Sequence, residues 1–176
     1  MESIIQTQVE QHLIKPDGNF PNNDKLPVLH YRSAFSVDKN PGDFIEKTFR
    51  HHKWKNAWRN GIFDYHHYHS TAHEVLGIYK GNCKVQLGGS DGIILELTKG
   101  DVIVLPAGVA HKNVGSDEEF KCVGAYPEGT DYDMNYGKPG ELEKALKNIS
   151  RLPLPELDPV FGTEGQLLEF WKTLLL

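Results

Sequence analysis

The stretch Gly61-Ile62-Phe63-Asp64-Tyr65-His66-His67-Tyr68-His69-Ser70-Thr71-Ala72-His73-Glu74-Val75-Leu76-Gly77-Ile78-Tyr79-Lys80-Gly81 decides how the chain is read. Four of the nine histidines fall between His66 and His73. Side chains alternate faces along a strand, so His67 and His69 point one way and His66 and Tyr68 the other. Two imidazoles side by side offer a divalent metal two nitrogen ligands. Glu74 follows after a short turn and could add a carboxylate oxygen. His111, beyond the turn Pro106-Ala107-Gly108, could return a third imidazole from a distant strand. Three imidazoles and a carboxylate leave open positions on a six-coordinate ion. That suits a catalytic iron, manganese, nickel or zinc rather than a closed structural zinc, which favours cysteine.

A helical reading of the same stretch fails on chemistry. His69 and His73 are four residues apart and would share a helix face. But His73-Glu74-Val75-Leu76-Gly77 ends in glycine where the zinc-protease motif needs a second histidine. His69-Ser70-Thr71-Ala72-His73 has alanine where the inverted motif needs glutamate.

Working outward, the chain reads as mostly strands. Upstream, Gln8–Ile14 and Leu26–Tyr31 read as extended, and His12 and His30 stand alone in them as solvated or packed residues. Asn40 can cap a helix over about 41–53, with Pro41 at its first position and Asp43 in its first turn. Downstream, Val75–Tyr79, Cys83–Leu87, Ile93–Leu97, Val102–Leu105 and Phe120–Tyr126 are short strands separated by glycine turns. Many short strands at regular spacing mean a sandwich or barrel. A helix then opens at Pro139, with Leu142, Ala145, Leu146 and Ile149 on one face. Pro153, Pro155 and Pro159 force an extended path, and Leu167, Leu168, Phe170 and Trp171 add apolar surface that must cover the barrel or a partner subunit.

Composition narrows the function classes. A net charge of −5 and no basic stripe argue against a nucleic-acid partner. No apolar run approaches a membrane span, and no secretory signal is expected at the N-terminus. Cys83 and Cys122, each among strand residues, are expected as small buried hydrophobes in a reducing cytoplasm.

The residues also match a known pattern. Gly61, His67, His69, Glu74 and Gly81 keep every spacing of the first cupin motif, Gly-x5-His-x-His-x4-Glu-x6-Gly. Gly100, Pro106, Gly108 and His111 match the second motif, Gly-x5-Pro-x-Gly-x2-His-x3-Asn. Its final asparagine is displaced: Asn113 is present, and Gly115 holds the expected place. The chain therefore resembles the cupin superfamily. Ala57–Gly61, His67–Glu74 and Gly124–Gly129 look like the small single-domain bacterial cupins of the YjlB type.

This resemblance implies an all-β double-stranded β-helix, the cupin jelly roll, with a few peripheral helices. It is expected as one domain over 1–176. The β-barrel core spans about 56–126, with an N-terminal strand and helix extension over 1–55 and a helical, proline-rich tail over 127–176. By motif position it implies His67, His69, Glu74 and His111 as ligands of one divalent transition metal (Fe, Mn, Ni or Zn). It implies a homodimer by analogy.

Arg59, Tyr65, His73 and Tyr126 are candidate substrate-binding residues. Arg59 could bind a carboxylate, Tyr65 shares the parity of His67, His73 could orient a ligand, and Tyr126 could donate a proton, with Glu128 a possible base. Trp58, Phe63 and Tyr79 read as core packing. The expected function is a metal-dependent dioxygenase or an isomerase or lyase acting on a small organic molecule. A non-catalytic metal or small-ligand binding module is the alternative.

Overall fold

The structure, a computed structural model, describes residues 2–173; Met1 and 174–176, the outermost ends of the expected extension and tail, lie outside them. In chain order the strands are β1 (Glu2–Ile4), β2 (Val9–Ile14), β3 (Asn23–Tyr31), β4 (Phe35–Val37), β5 (Trp54–Asn60), β6 (Glu74–Lys80), β7 (Asn82–Leu87), β8 (Ile93–Thr98), β9 (Val102–Leu105), β10 (His111–Ser116) and β11 (Lys121–Pro127). The helices are α1 (Pro41–His51), between β4 and β5, and α2 (Glu141–Ile149) and α3 (Gln166–Thr173), both after β11. The chain is thus mostly β-sheet with short helices at its margins.

Six strands form one sheet in the order β2-β3-β9-β6-β11-β5, three form another in the order β10-β7-β8, and β1 pairs with β4. The expected barrel does not close. Each large sheet keeps two edge strands, and beyond β10 the smaller sheet is extended by an isolated bridge between His67 and His111 and a bond from the Asn113 amide to the Phe63 carbonyl. The two open sheets face each other as a jelly roll.

Strand alternation sorts the core into two layers. On the inner face, Val28, Leu76, Ile78, Ile103, Leu105 and Cys122 meet Cys83, Val85, Leu87 and Leu97 of the smaller sheet. On the outer face, Leu29, Tyr31, Val75, Val102, Val104, Val123 and Ala125 pack under Ile45 and Phe49 of α1 and Leu167 and Trp171 of α3. The apolar residues near the C-terminus therefore cover this chain's own sheet. Both cysteines are free and buried in the inner layer, as expected. Gly77 shows how tightly α1 sits: a Cβ there would lie 2.6 Å from Ile45 Cγ2. Asn40 adopts a left-handed backbone (φ 48°) at the start of α1 and makes no side-chain cap, unlike the expectation.

A buried carboxylate pins the tail to this outer layer. Asp158 is fully buried. Its Oδ2 accepts from the Tyr31 hydroxyl at 2.6 Å and the Leu167 amide at 3.1 Å, and its Oδ1 accepts from the amides of Val160 and Phe161 at 2.8 and 3.0 Å. Burial, reinforced by the Asp158 charge, pushes the Tyr31 hydroxyl well up, so it remains a donor. Asp158→Ala leaves these donors without an acceptor in a dry site. It should lower unfolding free energy by about 3 kcal/mol, read as a lower urea midpoint at unchanged slope; a shift within error would show that the tail is held by apolar packing alone.

Candidate metal centre

The ligand stretch is not a regular strand. It runs beside β10 through short pairs of backbone bonds: His67 and His111 exchange bonds at 3.2 and 2.9 Å, and the Gly108 amide donates to the His69 carbonyl at 2.8 Å. This is enough to impose alternation. His67 and His69 turn inward together, and His111, the first residue of β10, meets them. Every pair of ligand nitrogens from these three rings lies within 4.8 Å. Glu74, the first residue of β6, joins from the large sheet on the same inner parity as Leu76 and Ile78. All four residues are buried.

Each imidazole is oriented through its outer nitrogen. His67 Nδ1 lies 3.1 Å from the Tyr65 carbonyl, His69 Nδ1 2.6 Å from the Asp133 carbonyl, and His111 Nδ1 3.0 Å from the Val109 carbonyl. A carbonyl only accepts, so each Nδ1 carries the proton and donates. The three Nε2 lone pairs are left facing inward, the arrangement by which proteins orient metal-binding histidines. Glu74 Oε2 lies 3.5 Å from His69 Nε2 and 3.3 Å from His111 Nε2, is buried, and has no hydrogen bond to either. Metal–ligand bonds of about 2.1 Å in a tetrahedral site place donor atoms about 3.4 Å apart. The two separations from Glu74 match that spacing, while the group with all donor atoms within 4.8 Å of one another is the three imidazoles.

The other oxygen of Glu74 is held. Tyr126 donates to Oε1 at 2.9 Å, and Trp58 Nε1 donates to the Tyr126 oxygen at 2.7 Å. Trp58 reaches that position by lying across Gly124 on the neighbouring strand, where a Cβ would come within 2.2 Å of the indole. Burial and the adjacent Glu74 charge push the Tyr126 hydroxyl far up, so its proton stays on the phenol. Burial alone would raise Glu74; the facing imidazoles, His69 first, outweigh it and keep the carboxylate ionised. Burial also lowers His69, but Glu74 beside it turns the net direction upward. His67 is lowered to about 3 by burial and then by His111.

A cavity of about 240 Å³ opens onto these groups. Its walls carry Trp58, Asn60, Phe63, Tyr126, Tyr132 and Met134 beside the four clustered residues. Trp58, expected as core packing, does pack against the inner layer and also lines this cavity; Phe63, expected as core packing too, is half exposed at the cavity wall. Tyr132 stacks on Tyr126 at 4.5 Å and sets its ring edge to His69 at 4.8 Å.

The remaining candidates lie at or beyond the margin of the cavity. Arg59 borders the cavity, but its guanidinium is held by Asp43 and Glu46 of α1, each at 2.7 Å. Tyr65 is exposed and stacks on Phe63 at 4.9 Å, outside the cavity wall. Glu128 is exposed and paired with Lys55 at 3.2 Å, away from the cluster. His73 falls on the outer face, one residue out of phase with Glu74. There its Nδ1 accepts the Ala107 amide at 3.0 Å, and its ring packs on Trp171 at 4.9 Å. Sequence reasoning missed Asp133, whose carbonyl orients His69 and whose carboxylate takes the Ser70 and Thr71 amides at 2.6 and 3.2 Å. Asp133 and Tyr132 lie in an aperiodic loop, so no spacing rule marks them.

Burial lowers His73 to about 4, as it lowers His67 to about 3. Both are neutral when folded and take up protons at ordinary values near 6.5 when unfolded. Between pH 4 and 6.5 the unfolded state thus binds more protons, and stability of the metal-free protein rises with pH. His69 is shifted the other way by Glu74, so its contribution is present below 6.5 and is lost only at higher pH, above that window. His73→Gln keeps an acceptor without a titration. It should flatten the pH dependence of the urea midpoint; an unchanged slope would locate the effect elsewhere.

A cupin family model matches residues 59–127. A relative in Bacillus subtilis (strain 168), "Uncharacterized protein YjlB", is 39% identical over 167 residues, covering 95% of this chain and 99% of that protein. Among solved structures, acireductone dioxygenase from Bacillus anthracis, with a cadmium ion in its active centre, matches at 19% identity and a TM-score of 0.38, over 52% of this chain and 62% of that one. Procruciferin, an 11S globulin from Brassica napus, matches at 16% identity and a TM-score of 0.36, over 64% of this chain; the chain spans only 23% of the globulin's length.

Proposed function

The chain belongs to the cupin family, among small bacterial cupins of the YjlB type, and on that premise we propose that His67, His69, Glu74 and His111 hold one divalent transition metal serving a reaction on a small organic molecule. One observation carries this reading. Three imidazole Nε2 atoms and one carboxylate oxygen face each other in a buried space, with every imidazole proton committed to a carbonyl on the far side. Electron pairs turned on one another repel, and positive charge between them relieves this: the shift of His69 toward its protonated form beside Glu74 does so in the metal-free protein, and a divalent cation would do so in its place.

The donor set, nitrogen and oxygen without thiolate, suits iron, manganese, nickel or zinc. Such an ion supplies Lewis acidity to an oxygen-bearing ligand, or one-electron chemistry where it is iron or manganese. The chain's own part is positioning. Tyr126 keeps Glu74 turned with Oε2 inward, and Asp133 keeps His69 turned with Nε2 inward. The cavity lies below the usual range of about 300–1,000 Å³ for ligand sites, which favours a substrate of few heavy atoms. Asn60 and Tyr132 line it beside the aromatic walls.

Dioxygenase and isomerase or lyase chemistry both belong to this reading. The Tyr126 proton is committed to Glu74 and the Arg59 charge to α1. That commitment also supports a binding module without turnover.

Elemental analysis of the purified protein beside His67→Ala/His69→Ala should show about one more metal per chain in the first than in the second; equal content would sink the assignment. Oxygen consumption over a panel of small hydroxy- and keto-acids then separates dioxygenase chemistry from the others. Tyr126→Phe should lower metal affinity by roughly 10- to 100-fold, the usual cost of losing a group that orients a ligand, with little change in fold by circular dichroism. Unaltered affinity would show that Glu74 needs no support.

A further inference from the structure

A second cluster lies on the same face of the large sheet, at its other edge. Glu10 and His12 are two apart on β2 and share a face. His30 on β3 is the direct cross-strand partner of Glu10. The sequence treats His12 and His30 as isolated; the antiparallel register brings them together. His12 Nε2 lies 3.6 Å and His30 Nδ1 3.8 Å from Glu10 Oε2. Both nitrogens are buried, and neither has a hydrogen-bond partner. The His30 side chain is fully buried.

The far nitrogen of His30 explains why the near one is free. His30 Nε2 lies 3.1 Å from Asp101 Oδ2, in a carboxylate that also accepts the Ser33 amide through Oδ1 at 2.7 Å. The carboxylate accepts, so Nε2 carries the proton, and the Nδ1 lone pair is aimed at Glu10. A carboxylate behind an imidazole whose other nitrogen looks into a ligand set is the pattern that orients metal-binding histidines. Arg32 holds Glu10 mainly by Oε1, at 2.6 Å, with a longer contact of 3.3 Å to Oε2.

We propose that Glu10, His12 and His30 form a second divalent-metal site, distinct from the cupin centre, that takes a zinc-like ion. Imidazole nitrogens with a carboxylate oxygen suit zinc, and separations of 3.6 and 3.8 Å approach the roughly 3.4 Å expected between donors in a tetrahedral site. His12 and Glu10 are partly exposed, at 24% and 38% of their side chains, which gives the ion a path from solvent and leaves water a fourth position. Because the ligands bridge β2 and β3, the ion ties the edge strand to its neighbour, a structural rather than catalytic role.

The test is equilibrium dialysis of chelator-stripped protein against Zn²⁺, followed by elemental analysis. His67→Ala/His69→Ala should retain one zinc per chain. Adding Glu10→Gln and His12→Asn should abolish it. In the otherwise unaltered protein, Glu10→Gln/His12→Asn should lower zinc by one equivalent. Zinc should also raise the melting temperature of His67→Ala/His69→Ala and have no such effect once Glu10 and His12 are replaced. Stoichiometry insensitive to Glu10 and His12 in both backgrounds, with fold retained by circular dichroism, overturns the proposal. Failure of the cupin centre would instead appear as zinc unchanged by His67→Ala/His69→Ala.

Discussion

The structure around the cavity depends on how one carboxylate is kept ionised out of water. Glu74 is wholly buried, and an isolated carboxylate there would take up a proton rather than remain charged. Two kinds of group hold it. The Tyr126 hydroxyl donates to one oxygen, and the imidazoles of His69 and His111 face the other. Each support has its own requirement. Tyr126 is steadied by Trp58, whose indole needs the bare surface of Gly124. His69 is turned by the Asp133 carbonyl, and Asp133 in turn holds the amides at Ser70 and Thr71. The second cupin motif adds His111, and its turn ties Gly108 to the His69 carbonyl. Residues far apart in sequence thus converge on a single charge.

The same sheet has opposite chemistry on its two faces, and alternation decides which residues meet which. Inward from β6 point Glu74, Leu76 and Ile78; outward lie Val75 and the bare surface of Gly77. His73 precedes Glu74 and so falls outward, onto Trp171. It packs outward for the same reason that Glu74 points into the cavity. The Asp158 cluster on the outer face holds the proline-rich tail in place, and that tail brings α3 and Trp171 over β3.

Much of this was legible in the sequence because the signals are local. The strands from Val75 to Tyr126 announce themselves through alternation and glycine turns, and the structure places β6 to β9 and β11 within a residue or two of those limits. The inward pairing of His67 and His69 follows from the same period. What was hidden is what depends on register between distant strands. No spacing rule shows that Glu10 faces His30, because that follows from how β2 and β3 pair. Nor does local pattern show that Asp133 orients His69, or that Asp43 and Glu46 of α1 hold Arg59. The placement of His73 was readable from the same period: one residue out of phase with Glu74, it packs on Trp171. The barrel expectation failed because strand count and turn spacing do not reveal whether edges meet.

That open architecture bears on where chemistry arises. A three-stranded sheet is too narrow to cover the inner face of a six-stranded one. The central strands β6 and β9 are covered, and their inner positions are apolar except at the strand ends. At the edges the cover runs out. On β2 the inner positions Glu10 and His12, before the buried Ile14, and on β5 Trp58 and Asn60 are partly or fully exposed. These margins combine buried polar side chains with an opening to solvent. Both clusters show that combination. The cupin centre lies where His67 and His69 run beside the free edge of β10, and the Glu10–His12–His30 group lies at the free edge of β2. Closing either sheet into a barrel would remove the margin that makes polar, part-buried donors affordable.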